Sequence, residues 1–227
     1  MVEFDGVSKV YSRRVGGLIH ALTDASFVMA LGEMVVVSGP PGAGKSTLVR
    51  LVYGEERPTR GTVVVDGVDV GALGRREVAR LRRRLGVLPQ EPRLLPDRTA
   101  FGNVVLVLRA LGLGRGEART RALAALREVG LGARPSALPR ELLAGERRRL
   151  LLARVIATAP AVLVADEPTA GLDDLAAGEV LDLLRAAHRR GATVLVATRS
   201  PGLATELKAR ALSLEGGRLR SNGNSGD

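Results

Sequence analysis

Apolar positions along the chain follow two rhythms. Met34-Val35-Val36-Val37 and Ala161-Val162-Leu163-Val164-Ala165 are short, nearly uninterrupted apolar runs bounded by turn residues, and Thr193 to Thr198 repeats the pattern. Such runs suit strands buried on both faces of a parallel sheet. A helix is expected to follow the first from Ser46, and the second ends at Asp166-Glu167-Pro168. From Arg75 through Leu85, and again from Asn103 through Val129, apolar residues recur every three or four positions among arginines, which is the helical period. Glycines 112, 114 and 116 punctuate the longer stretch, and further helices are expected from about Gly145 to Ala157 and from Ala176 to Arg189.

The first stretch differs. Val2 to Phe4, Ala25 to Ala30 and Thr62 to Val65 are β-like, separated by turn signals at Gly32-Glu33, Pro58 to Gly61 and Asp66-Gly67, and together they read as a mixed sheet. Strands alternating with helices of these lengths predict a parallel α/β sheet with right-handed crossovers. The last seven residues, Ser221 to Asp227, carry no apolar side chain and are expected to be a disordered tail. No internal repeat is present.

At 227 residues and 45% hydrophobic content, the chain suits one domain, with room for a smaller lobe. Without cysteine, disulfide and thiolate chemistry are excluded, which fits a reducing cytoplasm. The opening Met1-Val2-Glu3-Phe4-Asp5 lacks the basic start and apolar run of a secretory signal, so export is not expected. The apolar stretch Leu150 to Ala165 is broken by Arg154 and Pro160 and falls short of the roughly 20 residues of a spanning helix. Membrane association is therefore expected through a partner, on the inner face of the cell membrane.

The formal charge of +10 is carried almost wholly by arginine, with Lys9, Lys45 and Lys208 the only lysines. Three origins remain open: codon usage rich in alanine and arginine, docking on anionic lipid or an acidic partner, and nucleic-acid binding. An aromatic content of 2% weighs against the last, because base-stacking platforms are scarce.

Gly39-Pro40-Pro41-Gly42-Ala43-Gly44-Lys45-Ser46-Thr47 fits the phosphate-binding P-loop pattern and stands between an expected strand and an expected helix, as the chemistry requires. Glycines let backbone N–H groups turn around phosphate oxygens, the helix start offers its positive end, and Lys45 adds a full charge. Ser46 is the expected Mg²⁺ ligand through its hydroxyl. Asp166, at the carboxyl end of a hydrophobic strand, is the expected partner for the hydrated metal. Glu167 follows on the same rim and is the candidate general base for the attacking water.

Asp166-Glu167-Pro168-Thr169-Ala170-Gly171-Leu172-Asp173 resembles the Walker B motif and D-loop of the ATP-binding cassette (ABC) family. Leu142-Leu143-Ala144-Gly145-Glu146-Arg147-Arg148-Arg149 lies where that family's Leu-Ser-Gly-Gly-Glu-Gln-Gln-Arg signature belongs. The resemblance implies a P-loop NTPase nucleotide-binding domain with a parallel-sheet core, an antiparallel β subdomain and a helical subdomain. Its expected boundaries are 1–92 and 150–220 for the core and 93–149 for the helical lobe. The resemblance further implies that Gln90, in Leu88-Pro89-Gln90-Glu91, contacts Mg²⁺ and communicates with a membrane subunit, and that Tyr11 stacks on adenine. A structural role for Tyr11 and a surface role for Gln90 stay open. Val7 to Tyr11, Gly42 to Leu48, Arg75 to Val78, Leu94 to Thr99 and Ala165 to Leu172 resemble the cell-division branch of the family, whose ATPase works with a permease-like membrane partner. Lipoprotein-release and macrolide-export branches share much of the same pattern.

Three positions depart from it. Leu143 and Ala144 replace the serine and glycine of the signature. In the family, two subunits sandwich two nucleotides, and the signature of one donates its serine hydroxyl and backbone amides to the γ-phosphate held by the other. Leucine cannot donate, although Gly145 and the amides of that helix start remain. Losing a hydrogen bond to a charged acceptor costs about 1.5–3 kcal/mol, and losing one positioned donor costs about 10²- to 10³-fold in rate. Arg199 stands where the family carries its switch histidine. A fixed cation grips phosphate but cannot accept a proton; an Arg199 pointing into solvent is the alternative.

A homodimer formed on ATP binding would hold all of these departures in each composite site, and a heterodimer with an intact partner would split them. Two functions follow: an ATPase subunit driving a membrane partner, or an ATP-dependent switch with impaired hydrolysis. A chromosome-maintenance ATPase would need a long heptad insertion between Lys45 and Asp166, which is lacking.

Overall fold

The computed structural model describes residues 1–12, 17–91 and 93–221. Two sheets are present among them. The larger has six strands in the order β10-β9-β3-β8-β7-β6: β3 (Met34–Ser38), β6 (Leu85–Leu88), β7 (Val162–Asp166), β8 (Thr193–Thr198), β9 (Arg210–Glu215) and β10 (Arg218–Ser221). The pairs β3–β8, β3–β9, β7–β8 and β6–β7 are parallel, and only β10 runs antiparallel, at one edge.

Alternation along the central strands shows how both faces are covered. Met34 and Val36, Leu163 and Ala165, and Val194 and Val196 belong to one core, with α3 (Ala100–Ala110), α4 (Arg115–Glu128), α5 (Ala144–Ile156) and α6 (Asp174–Arg189). Val35 and Val37, Val162 and Val164, and Leu195 and Ala197 belong to the other, with α1 (Lys45–Val52) and the second sheet. A sheet with both faces buried has no room for polar alternation, which is why these strands read as continuous apolar runs.

The second sheet has the order β2-β1-β4-β5, from β1 (Val2–Ser12), β2 (Leu18–Met29), β4 (Arg60–Val65) and β5 (Val68–Asp69). All its pairings are antiparallel, so the mixed character expected for this stretch is corrected: the mixing lies in the large sheet, through β10. β1 and β2 are also far longer than the apolar runs that announced them, because their outer faces carry polar residues.

Three further expectations change. Helix α2 (Arg75–Arg82) stops before Leu85, where β6 begins. Gly86 admits the close approach of the signature helix there: a Cβ would stand 2.5 Å from Val155 Cγ1 and 2.7 Å from Pro160 Cγ. Helix α3 starts at Ala100 and not Asn103, capped by Thr99, whose Oγ1 accepts from Gly102 N at 3.0 Å. Asn103 is fully buried; its Oδ1 accepts from Leu95 N and its Nδ2 donates to the carbonyls of Leu95, Arg98 and Thr99. Finally, Ser221 pairs with Leu212 in β10, so it is not part of a tail; residues 222–227 lie outside the described residues, as does Pro92 beside the expected lobe boundary at 92/93. Helix α5 runs across the other expected boundary at 149/150.

Candidate functional site

The parity that builds the core also aims the chemistry. Asp166 follows Val162 and Val164 in the alternation of β7 and so faces α1, where Lys45 and Ser46 begin the helix. Gly39 leaves the end of β3; Pro40, Pro41 and Gly42 form the exposed bend; and Ala43 turns back through Ala43 N to Pro40 O at 3.2 Å. Two glycines here are irreplaceable for steric reasons. A Cβ on Gly39 would lie 2.1 Å from Leu214 O, and one on Gly44, at φ 106°, would lie 2.1 Å from Ala21 O. The loop is thus pressed between the antiparallel sheet and the β9–β10 turn, where Gly217 N donates to Ala43 O at 3.2 Å.

Lys45 is buried. Its Nζ donates to Gly39 O at 2.8 Å and Pro40 O at 3.0 Å, and stands 3.8 Å from Glu167 Oε1. Burial lowers its pKa from the ordinary lysine value, partly offset by the Glu167 charge. The ammonium is therefore held inside the loop by weak carbonyl partners that a phosphate oxygen outcompetes. Thr47 is buried on the same helix, with its Oγ1 3.4 Å from the Tyr11 hydroxyl. Tyr11 carries Lys9 Nζ 4.9 Å from its ring centroid, so the ring already sits against a cation beside the loop.

Asp166 is buried, and burial pushes its carboxyl above the usual carboxylate range; the Ser46 hydroxyl pulls the other way. Asp166 Oδ1 has no hydrogen-bond partner. A buried carboxylate oxygen left so is costly, and hard oxygens from Asp166 and Ser46 in one place suit Mg²⁺. The residues present fit the ion.

Glu167 is buried at φ 47°, a left-handed backbone that costs a non-glycine residue about 1–3 kcal/mol. The surroundings hold it there. Its N–H donates to Ala197 O at 2.8 Å, and its Oε2 accepts from Arg199 N at 3.2 Å and lies 3.5 Å from Thr198 Oγ1. Arg199 does not simply point into solvent: its Nε stands 3.3 Å from Glu167 Oε1, with the side chain 56% exposed. The Glu167 carboxylate is therefore shared between two cations, Lys45 and Arg199.

Gln90 lines a cleft of about 470 Å³ that also contains Asp166, between α1, β6 and α5. Sequence reasoning missed what fixes it. Arg148, buried on α5, donates through Nη1 to Pro89 O and through Nη2 to Gln90 O, both at 2.8 Å, and Arg154 Nη1 donates to Arg93 O at 2.8 Å. Burial lowers the pKa of both guanidiniums from the ordinary arginine value. One helix thus carries the signature at its start and grips the Gln90 loop one turn later. Nothing in the spacing of Arg148 and Arg154, six residues and about 120° apart on the helix, marks them as inward-pointing cations. The β9–β10 hairpin was missed as well, although Gly216-Gly217 between alternating apolar residues is a hairpin signal.

At the start of α5, Leu143 is 74% exposed and offers no side-chain cap. Its own N–H donates to Glu146 Oε2 at 2.8 Å, and Glu146 is further held by Arg134 Nη1 at 2.8 Å. The first carbonyl bond of the helix runs from Arg147 N to Leu143 O. Amides ahead of it, including that of Gly145, stay free for an acceptor from outside. Gly145 packs against α6: a Cβ would meet that of Ala176 at 2.9 Å. Contacts therefore join Gly39, Pro40, Lys45, Glu167 and Arg199, and separately Thr47 with Tyr11, while Gln90 shares a cleft with Asp166 and Leu143 is exposed.

A family model described as "ABC transporter" matches residues 22–170, more than half of the chain. The chain is 42% identical over 219 residues to the cell division ATP-binding protein FtsE of Escherichia coli, covering 96% of this chain and 97% of that protein. It is 39% identical over 219 residues to the methionine import ATP-binding protein MetN of Cereibacter sphaeroides, covering 96% of this chain and 62% of the other. A solved dimeric ATP-binding cassette in a post-hydrolysis state, bound to ADP and phosphate, superposes with a TM-score of 0.89 at 30% identity, covering 100% of both chains. The chain belongs to the ABC transporter family, as an ATP-binding cassette of the ATPase type with ATP and Mg²⁺ as its cofactors.

Proposed function

We propose that this ABC ATPase is the nucleotide-driven subunit of an FtsEX-like complex acting in cell division, coupling ATP-dependent pairing of two cassettes to a membrane partner resembling FtsX. The observation that carries the coupling is the Arg148 grip, which ties the Gln90 loop to the helix bearing the signature. A second cassette pulling on α5 would move the floor of the cleft, and a partner segment seated in the cleft would feel it. The likeness to FtsE over nearly the whole of both chains supports this branch; MetN, at 39% identity, keeps an importer-type membrane partner as the competing case. Among the described residues no helix is long and apolar enough to cross a membrane, consistent with a peripheral subunit held on the inner face of the cell membrane by its partner.

In the proposed reaction the loop amides of Gly39 to Thr47 receive the phosphates, and Lys45 exchanges two carbonyl partners for phosphate oxygens. Tyr11 stacks on the adenine. Ser46, Asp166 and Gln90 would hold Mg²⁺, which would supply neutralisation of phosphate charge. Glu167 polarises the water, and the Leu143–Gly145 segment of a second cassette closes the site with backbone amides alone. Arg199 stabilises phosphate charge but takes no proton. A hydrolysis-impaired switch is the second reading, favoured by the Arg199–Glu167 ion pair, which opposes the use of Glu167 as a base.

Capture by an FtsX-like partner tests the proposal. The chain should co-purify with it, and Val107→Arg in the cleft should abolish capture while leaving ATP binding unchanged. Capture that ignores this substitution, or an ATP turnover indifferent to the partner, would contradict the coupling.

A further inference from the structure

Helix α2 has a face that the reaction does not use. At about 100° per residue, Arg76, Arg80 and Arg83 fall within about 60° of one another, and Leu81 and Val78 fall on the opposite side. Leu81 is the buried residue of this helix, and Val78 packs against Gly54. The three arginines are exposed, and among the described residues none of them is in an ion pair, whereas Arg84 pairs with Asp66 and Arg82 is spent on the carbonyls of Tyr53 and Gly54. None of the exposed large hydrophobic side chains lies on α2. The face is charged and exposed, and none of its three arginines lines a cavity described for the structure.

We infer that the Arg76-Arg80-Arg83 stripe is a membrane-surface contact that binds anionic phospholipid headgroups by charge alone. An exposed row of fixed cations matches a diffuse anionic plane, which asks for no directional partner. It lacks the aromatic rings or amide side chains that read or stack on bases, and it offers an acidic peptide no pocket. Its placement supports the same conclusion. Arg82, on the same helix, lines the cleft proposed above for the membrane partner, so a cassette seated there brings α2 towards the bilayer. This placement rests on the proposed function, but the vesicle assay below runs without any partner and fails or succeeds independently of it.

The full-length chain should co-sediment with vesicles of phosphatidylglycerol mixed with phosphatidylcholine, and not with phosphatidylcholine alone, and raised salt should release it. Arg76→Gln, Arg80→Gln and Arg83→Gln together should lower the partition coefficient on the order of 100-fold, about fivefold for each arginine. Thermal stability and ATP binding should stay at wild-type values. A control removing the same charge elsewhere, Arg115→Gln with Arg127→Gln and Arg140→Gln, should lose far less. Equal losses in the two triple variants would overturn the localised stripe. So would absence of wild-type binding to the anionic vesicles, or tighter stripe-dependent binding to polyglutamate or to duplex DNA. Capture of the stripe variant by the membrane partner would separate loss of the lipid contact from failure of the coupling itself.

Discussion

Two helices of this protein carry the amides that the proposed function assigns to nucleotide, and they begin differently. Helix α1 starts from a loop locked by its neighbours, with Gly39 and Gly44 pressed on Leu214 and Ala21 and the Lys45 ammonium buried inside. Helix α5 starts at Leu143, exposed and without a capping acceptor, its amide turned to Glu146. Both use the same device, free amides at a positive helix end. The first is completed within one chain and can bind phosphate alone. The second begins at an exposed leucine, lacks the hydroxyl that the family places there, and on the proposed function acts only when another cassette presents an acceptor. On the proposed function, the chain binds MgATP through the first device alone and needs the second for turnover.

The largest effect should come from Glu167→Gln, which removes the proposed base but leaves the loop. Turnover should fall by about 10²- to 10⁴-fold while ATP binding persists; equal turnover in parent and variant would mean that the parent does not hydrolyse ATP. Lys45→Ala attacks the other side of the comparison. Losing charge-assisted bonds worth about 1.5–3 kcal/mol should raise the Kd for ATP by roughly 10- to 100-fold in a direct binding assay. Arg148→Met keeps volume but removes both bonds to the Gln90 loop. It should cost about 1.5–3 kcal/mol in denaturant unfolding and speed amide exchange at Gln90 and Glu91, whereas unchanged exchange would separate the loop from α5.

Asp166→Asn should have the smallest effect and the opposite sign. Its carboxyl is held above the ordinary value in the fold, so ionising it costs stability that is fully present below the ordinary carboxylate pKa and lost as pH rises through the shifted one. The nucleotide-free variant should melt above the parent at neutral pH, with the gap closing as the pH falls. A variant melting lower throughout would mean that the orphaned oxygen carries no such penalty.

How much of this was legible depended on whether the signal was local. The loop from Gly39 to Thr47 was readable because every residue it needs is contiguous and flanked by β3 and α1. The place of Asp166 and Glu167 was readable because the pair closes an uninterrupted apolar run, which forms β7. β6 was lost because Leu85 continues the helical period of α2, and only tertiary pairing with β7 decides between them. The buried Arg148 was lost because a cation in an arginine-rich helix looks solvated until its carbonyl partners, 58 and 59 positions away, are known. Arg199 showed its type but not its partner, since the ion pair with Glu167 joins the ends of two strands.

The division between binding and hydrolysis is tested most directly by Leu143→Ser combined with Arg199→His, measured for ATP affinity and ATP turnover on the same preparation. The account predicts an unchanged Kd, within about threefold and so well under 1 kcal/mol, with turnover rising by at least about tenfold as the lost donor is restored. Turnover unchanged from the parent, or affinity and turnover shifting together, would contradict it.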